Sequence, residues 1–227
     1  MNLKNWNMYY NKDKDGDIRA NLVYTPLVSP DKKTLCMDFN RYIKYHQCLK
    51  ENLLWTEELL TERFNREIKF NSLASKFMET IPIIDIDILN RRIFLEWYGD
   101  DFFMQGINNG GYDKILPNWK EQWINSIQLM QKNNIFKISL HPNSWVIKDE
   151  KLIPFNWFFT YELSEPALTI RSLLIQISLE RQEKLEKVLS DIGINMDTKY
   201  NVDFLQKIAF YSFRSNYPKD LIDRILS

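Results

Sequence analysis

The first hundred residues alternate short apolar stretches with polar turns, a pattern that predicts antiparallel β-strands. Turn-forming residues, such as the Ser29-Pro30 pair, separate these stretches. Between them, residues 61–78 carry apolar side chains at helical spacing and are predicted to form a helix capped by Thr61. Residues 40–60 are polar and aromatic, and we interpret them as an insertion, part helix and part connection. The predicted strands are residues 6–10, 18–28, 34–39, 81–89 and 93–97.

Helical spacing dominates after residues 100–116, a glycine- and asparagine-rich stretch that is predicted to be a loop and a domain boundary. Asn118 is predicted to cap the helix that follows. Gly193 is expected to end a long helix that begins at Ser164. The predicted helices are residues 118–133, 164–189 and 201–213, with a short one after Pro218.

A hairpin interrupts these helices and gives the most site-like pattern in the chain. Two apolar strands, residues 145–147 and 152–155, are joined by the charged turn 148–151. A polar loop, residues 139–144, precedes the first strand, and Asn156 follows the second. Polar groups are therefore expected to meet at one end of the hairpin, where they could form a site. The two tryptophans that border these strands are predicted to lie in the core.

Composition limits the classes of protein to which the chain can belong. With 44% hydrophobic and 14% aromatic residues it suits a folded core, and 30 basic against 30 acidic residues give a net charge of zero. That balance gives no strong signal for nucleic-acid binding, and no apolar run is long enough for a membrane span. Cys36 and Cys48 have neither metal nor disulfide spacing, which favours a reducing cytoplasm, and the N-terminal residues resemble no targeting peptide. Abundant Asn, Lys, Ile and Tyr are typical of an AT-rich genome, such as a viral one.

Few residues have the spacing of a metal site or of a catalytic nucleophile. His46 and His141, the two histidines, lack the spacing of metal ligands or of a nucleophile's base. Two groups of aspartates are interpreted as solvated turn or strand residues, because the glutamate that completes a calcium-binding loop is missing. These groups are Asp13, Asp15 and Asp17 in a turn, and Asp85 and Asp87 in a strand. No metal site is therefore predicted.

The hairpin and its loop resemble the catalytic loop and metal-binding segment of the protein-kinase-like superfamily, in the style of its aminoglycoside- and choline-kinase branch. Members of that branch carry a pattern like HGDLHPGNILV, then a charged turn and a strand that ends in IDF. Residues 140–147 (LHPNSWVI) and 153–155 (IPF) align with it. In this register Ser139 replaces the catalytic aspartate, Ser144 the metal-binding asparagine and Pro154 the metal-binding aspartate.

A second register places His141-Pro142-Asn143 on the His-x-Asp triplet, with Asn143 at the position of the base, but it shortens the spacing to the next strand. The candidate loop residues are therefore Ser139, His141, Asn143 and Ser144. Neither register supplies the carboxylate that catalysis requires. By the same resemblance, His141 is expected to fix the loop through a hydrogen bond to a backbone carbonyl.

The resemblance implies a two-lobed α+β fold. A small lobe with an antiparallel β-sheet and one main helix would precede a larger, mostly helical lobe. The β-rich N-terminal lobe would be residues 1–99, with helix 61–78 and insertion 40–60. The helical lobe would be residues 100–227, with hairpin 145–155.

Further positions carry over by the same resemblance. Glu96, Trp97 and Tyr98 match the hinge, whose backbone holds adenine in the family. Asp38 falls where the family has a strand lysine, and it is interpreted as an edge-strand residue in water. Because that lysine is missing, Glu67, which matches the helix glutamate that grips it, is expected to be solvated.

These departures leave three hypotheses about function. The first is a degenerate, pseudokinase-like protein without a metal or cofactor, which binds an unidentified protein or small ligand in a regulatory role. The second is an active phosphotransferase that uses ATP and Mg²⁺ with relocated acids, drawn from Asp100, Asp101, Asp149 and Glu67. The third is an unrelated α+β protein-binding adaptor without a cleft between lobes.

Overall fold

The computed structural model describes residues 3–9, 11–12, 18–19, 24–40, 56–173, 179–213, 217–218, 220–221 and 224, and every structural statement below concerns these residues. Strands and helices both occur in this part of the chain, so the predicted α+β class is confirmed. The turn with Asp13, Asp15 and Asp17 lies outside the described residues, as do most of the insertion and most of the short helix predicted after Pro218.

The secondary-structure elements are mostly short. The strands are β1 (Asn7–Met8), β2 (Asn11–Lys12), β3 (Ile18–Arg19), β4 (Thr25–Val28), β5 (Thr34–Asp38), β6 (Ile83–Asp87), β7 (Arg92–Glu96), β8 (Ile135–Lys137), β9 (Trp145–Lys148), β10 (Lys151–Pro154), β11 (Thr160–Glu162), β12 (Leu168–Thr169) and β13 (Lys199–Tyr200). The helices are α1 (Glu57–Ala74), α2 (Phe102–Asn109), α3 (Trp119–Lys132), α4 (Ile170–Leu173), α5 (Leu179–Asp191) and α6 (Val202–Phe213). Three 3₁₀ turns are Tyr112–Lys114, Pro142–Ser144 and Trp157–Phe159.

An antiparallel five-stranded sheet, in the order β1-β4-β5-β7-β6, organises the N-terminal part of the chain. Its inner face buries Leu35, Met37 and Leu95 in the main core, together with side chains of α1. Its outer face buries a smaller cluster of Leu27, Cys36 and Phe94, against which Leu3, Trp6 and Met8 pack. Burial on both faces explains why the central strands are more uniformly apolar than an alternating pattern would suggest.

Helix α1 begins earlier than the sequence predicts. Thr56, rather than Thr61, is the N-cap, and its hydroxyl accepts the N–H of Leu59. Thr61 lies inside the helix, where its hydroxyl donates to the carbonyl of Glu57. Residues 57–60, which were assigned to the insertion, therefore belong to the helix.

The prediction of a loop over residues 100–116 is wrong, because this stretch contains helix α2. The Asp101 carboxylate accepts the N–H of Met104 at the start of the helix, and Gly110 ends it in the left-handed conformation. Gly106, a residue typical of loops, lies within this helix and allows the ring of Tyr112, in the turn that follows, to pack closely against it. A Cβ atom on this residue would lie 2.3 Å from the ring of Tyr112.

The later helices agree in part with the prediction. Helix α3 matches residues 118–133, although the Asn118 side chain makes no capping bond and instead accepts from Gln122. The long helix predicted from Ser164 is wrong at its start, because residues 164–169 are not helical and include β12, whereas α4 and α5 lie within the predicted range or extend it by two residues. Pro166 disfavours the helical conformation at Glu165, the residue before it.

A single cluster of buried residues joins the sheet to the hairpin and the helices. It includes Trp145 and Trp157, both fully buried, which confirms the predicted core positions of these tryptophans. Trp123 of α3 lies against Trp145 and Tyr217, with ring centroids 6.2 and 4.5 Å away. None of the described helices has the combination of length and apolar character needed to cross a membrane.

Candidate functional site

A cleft between the inner face of the sheet and the β9–β10 hairpin brings most of the candidate residues together. Its walls combine side chains from the sheet and the segment after β7 with side chains from the hairpin. The lining residues are Tyr9, Tyr24, Pro26, Leu35, Ile81, Glu96, Trp97, Tyr98, Gly99, Asp101, Asn143, Val146, Phe155 and Asn156. The hinge-like residues and Asn143 therefore line the same cleft.

The hinge-like residues form the mouth of the cleft, but two of their backbone amides are used by the protein itself. The N–H of Glu96 donates to the carbonyl of Pro82, and that of Trp97 to the carbonyl of Lys33. The Tyr98 ring lies 4.0 Å from the ammonium of Lys148, which also lies 3.6 Å from the Glu96 carboxylate. The backbone amides of Glu96 and Trp97 and the side chains of Glu96 and Tyr98 are therefore all in contact with other groups of the protein.

The polar loop before β9 is held together by its own side chains. The hydroxyls of Ser139 and Ser144, which the preferred alignment places at the catalytic and metal-binding positions, lie 2.8 Å apart and share a hydrogen bond. His141 Nδ1 accepts the N–H of Asn143, so this histidine contributes to holding the loop together. Its ring also packs edge-on against Phe103 at 4.9 Å.

Asn156 is the polar residue that the hairpin presents to the cleft, and the sequence did not single it out as a ligand. Pro154, the aligned metal position, lies within β10 and pairs with Trp145. Asn156 adopts a left-handed conformation, with φ 61° and ψ 63°, that asparagine tolerates better than most residues. Its amide oxygen accepts the hydroxyl of Tyr24 at 2.7 Å, and its amide nitrogen donates to the carbonyl of Asn143 at 3.2 Å.

Two tyrosines occupy much of the cleft. The Tyr9 ring packs edge-on against Trp97 at 4.8 Å, and its hydroxyl accepts the N–H of Asp101 at 3.4 Å. Burial, together with the charge of Asp101, raises the pKa of the Tyr9 phenol well above its ordinary value. Tyr24, 3% exposed, packs against Phe158. The space left in the cleft is about 30 Å³, which is room for water but not for a nucleotide.

Glu67 is fully buried, so the prediction that it is solvated is wrong. Its charge partner is Lys137 of β8, also fully buried, which the sequence did not identify. The Lys137 ammonium donates to the carbonyls of Phe155 and Asn156, at 2.7 and 2.6 Å, and lies 5.1 Å from the Trp157 ring. Lys137 belongs to β8 and not to the five-stranded sheet. It therefore supplies, from another part of the fold, the positive charge near Glu67 of α1.

Burial dominates the electrostatics of this pair. It raises the pKa of Glu67 to about 7, against the opposing effects of the Lys137 charge and the N–H groups of Trp157 and Phe158. It also lowers the pKa of Lys137 to about 7, against the effect of the Glu67 charge. The two opposite charges therefore compensate each other in the core of the protein.

Two arginines of α1 fasten the helix to the segment that follows the hairpin. Arg63, 4% exposed, donates to the carbonyl of Phe158 and the hydroxyl of Tyr161, and its guanidinium lies 4.4 Å from the Phe159 ring. Arg66 donates to the carbonyl of Thr160 and, through two nitrogens, to the carboxylate of Glu165. Together with Glu67, these residues make one face of α1 a rigid attachment.

The Arg66–Glu165 pair gives a pH-dependent expectation. Burial alone would raise the pKa of Glu165, but the hydrogen bonds from Arg66 outweigh it, and the net pKa is lowered. A lowered pKa stabilises the fold above the pKa of the unfolded chain, and this contribution is lost as pH falls through the folded value. Glu165→Gln is expected to cost about 2 kcal/mol at neutral pH, with the difference from the wild type shrinking on acidification in urea titrations.

Glu121→Gln provides the matched control for that measurement. Glu121 makes a similar two-point contact with Arg224, but both side chains are half exposed. Exposed pairs of this type contribute about 0–1 kcal/mol. An equal loss in both variants, or a Glu165→Gln loss that does not change with pH, would contradict the expected role of Arg66.

The other acidic candidates form contacts with the rest of the protein or lie in turns. Asp38 is fully buried and its carboxylate lies 3.1 Å from Arg92, so its assignment to an edge strand in water is wrong. β5 lies between β4 and β7, in the interior of the sheet. Asp101 caps α2 at the edge of the cleft, and Asp149 lies in the β9–β10 turn. The described residues contain no group of three or more His, Cys, Asp or Glu residues that could hold a metal ion.

Asp85 and Asp87 bond to local groups rather than to each other. Asp85 accepts the N–H of Ile86, whereas Asp87 accepts from Asn90 and lies 3.8 Å from Arg92. Asp85 is exposed, in agreement with its interpretation as a strand residue facing water, and Asp87 is half-buried. The hydrogen bonds of Asn90 lower the pKa of Asp87.

Comparison with known proteins gives only distant likenesses. No family model matches the chain, and no curated protein matches its sequence. Solved structures of WbdD, one of which describes a bifunctional kinase-methyltransferase, resemble it with TM-scores of 0.46 to 0.47 and identities of 8 to 11%. One of these is a co-crystal structure with the kinase inhibitor LY294002.

The matches cover 88 to 92% of this chain but 45 to 50% of the WbdD chains. The chain therefore spans about half the length of the solved structures that it resembles. At these TM-scores and identities the likeness does not assign the chain to a family.

Proposed function

We propose that this chain is a degenerate kinase-like protein that does not transfer phosphate and instead acts as a binding or regulatory protein. Its partner would be a protein or a small ligand. In this proposal the β-rich part, residues 1–99, and the helical part, residues 100–227, are two lobes, and the cleft between them corresponds to the nucleotide site of an active enzyme.

The proposal rests on the observation that the protein's own side chains fill most of the cleft. Phosphoryl transfer requires Mg²⁺ held by oxygen ligands and a residue that orients the nucleophile. In the loop before β9 the aligned positions hold neutral side chains that bond to each other, Ser139 to Ser144. In the cleft itself, Asn156 bonds to Tyr24. Polar groups satisfied in this way gain little from a metal ion, and the tyrosines fill the space that phosphates would need.

The acids nearest the cleft also support the absence of catalysis. The Asp101 carboxylate is used to cap α2, and Glu67 lies in the core beside the compensating charge of Lys137. The lining contains two carboxylates, Glu96 and Asp101, and among the described lining residues no lysine or arginine to attract a polyphosphate. Lys148, at the edge of the cleft, lies 3.6 Å from the Glu96 carboxylate, so its charge is already compensated within the protein.

The proposal is tested by measuring nucleotide binding and turnover in the same preparation. Addition of ATP and Mg²⁺ is expected to leave the melting temperature unchanged, because only a ligand that binds the folded state raises it. Phosphate release is expected to stay at the level of a buffer blank. Turnover above the blank that falls in Asp101→Asn, a variant that keeps the shape of the cap, would overturn the proposal and favour a phosphotransferase with relocated acids.

A further inference from the structure

Residues 3–9 run from the outer face of the five-stranded sheet into the cleft. Their strand, β1, lies at the edge of the sheet and pairs with β4 over two residues. Successive side chains of a strand point to opposite faces. Trp6 and Met8 accordingly pack on the outer face, whereas Tyr9 lines the cleft. We call residues 3–9 the strap, because they connect these two places.

Apolar contacts anchor the strap on the outer face. Leu3, Trp6 and Met8 pack there against the small buried cluster that contains Phe94. The half-buried ring of Trp6 meets the ring of Phe94 edge-on, with the two centroids 5.8 Å apart. Aromatic pairs in this geometry are favourable beyond the area that they bury. Trp6 is therefore the largest side chain that fastens the strap, and it is not among the residues that line the cleft.

The inner end of the strap places Tyr9 in the cleft. The Tyr9 ring packs edge-on against Trp97, and its hydroxyl accepts the N–H of Asp101 over 3.4 Å, longer than most hydrogen bonds of this type. The N–H of Tyr9 donates to the carbonyl of Pro26. Beyond Tyr9, β2 pairs with β3 and, within the described residues, with no strand of the large sheet. Segments fastened in this way can open locally while the rest of a protein stays folded.

We propose that the strap is an autoinhibitory element that closes the cleft. While Trp6 holds the strap on the outer face, Tyr9 occupies the space beside Trp97 and Asp101 that a ligand would use. When the strap detaches, Tyr9 leaves with it and the cleft opens. Contacts on the outer face therefore control access to the cleft. The inference rests on the proposed function only in taking the cleft as the binding site.

The test measures how readily a thiol in the cleft reacts. Val146→Cys places this thiol at a lining position that is 3% exposed. Iodoacetamide labels the folded protein, and peptide mass spectrometry distinguishes the new thiol from the two native ones. Two substitutions are then added separately. Tyr9→Ala removes the side chain that occupies the cleft, and Trp6→Ala removes the anchor on the outer face. Each is expected to speed labelling by about tenfold or more.

Phe204→Ala is the matched control. Like Trp6, Phe204 is a half-buried aromatic residue that packs against another ring, that of Tyr200, but it lies on α6. It is expected to leave the labelling rate unchanged. Trp6→Leu, which keeps part of the apolar contact, is expected to give an intermediate rate. Circular dichroism confirms that each variant is folded, and labelling is expected to depend only weakly on low urea, because local opening exposes little surface.

Unchanged labelling in both Trp6 variants would overturn the proposal, since the anchor would then have no influence on the cleft. Equal acceleration by Phe204→Ala, or a steep dependence on urea, would overturn it too, because either result indicates general destabilisation. The readout requires no ligand, so it is independent of the proposed function. ATP hydrolysis by a cleft that Trp6→Ala has opened would support the strap and contradict the proposed absence of catalysis.

Discussion

Lys137→Met is expected to destabilise the protein by about 3 to 5 kcal/mol. The substitution keeps the length of the buried chain but removes the ammonium that donates to the carbonyls of Phe155 and Asn156. It also leaves the carboxyl of Glu67 buried without a compensating charge, so this group would have to be protonated in the folded state. The free energy of unfolding from urea titration measures the loss.

A double-mutant cycle distinguishes the charge pair from simple packing. Glu67→Gln in the Lys137→Met background is expected to cost much less than either single change, because the second substitution removes the charge that the first left uncompensated. Lys69→Met is the control for a lysine on α1 whose partner, Glu162, is at the surface, and it is expected to cost about 1 kcal/mol or less. Additive losses in the cycle would contradict the coupling of Glu67 and Lys137.

Trp157→Ala is expected to cost about 3 to 5 kcal/mol, the second large effect. Trp157 is fully buried at the start of the 3₁₀ turn that α1 contacts, and its ring lies beside the Lys137 ammonium. Alanine would leave a cavity between the helix and the hairpin, and would remove the cation–π contact. Urea titration measures the loss, with the anisotropy of the remaining tryptophans as a second probe.

Two further variants test the cause of that loss. Trp157→Phe keeps an aromatic ring at the site and is expected to recover more than half of the stability lost in Trp157→Ala. Leu163→Ala, at a half-exposed position of the same segment, is expected to change the free energy of unfolding by about 0.5 kcal/mol or less. If Trp157→Ala were as mild as Leu163→Ala, the turn would not be part of the core.

The sequence predicted local elements well wherever a periodic pattern was strong. Helix α3 and the β9–β10 hairpin lie within one or two residues of their predicted bounds. It failed at α2, because Gly106, Asn108 and Asn109 are typical of loops and the stabilising contacts come from Tyr112 and the cap at Asp101. Propensity is a weak guide in a short helix whose stability depends on tertiary packing.

The site was predictable in part. Glu96–Tyr98 and Asn143 were singled out from their resemblance to a hinge and a catalytic loop, and the fold places them in one cleft. Tyr9, Tyr24 and Asn156 were not singled out, although Asn156 follows β10 at a position where a polar residue was noted. The sequence predicts that Asp38 faces water on an edge strand and that Glu67 is solvated because the strand lysine is missing, but both residues are buried beside basic residues from distant parts of the chain.

From its sequence alone this protein could be known as an α+β chain with a hairpin that has polar residues at one end. These properties follow from side-chain type and spacing, which are local. Only the tertiary structure decided that Lys137 compensates Glu67, and that Tyr24 closes the cleft onto Asn156 from 132 residues away. Pairings at such separations depend on how the sheet, helix and hairpin pack together, and no local pattern in the chain records them.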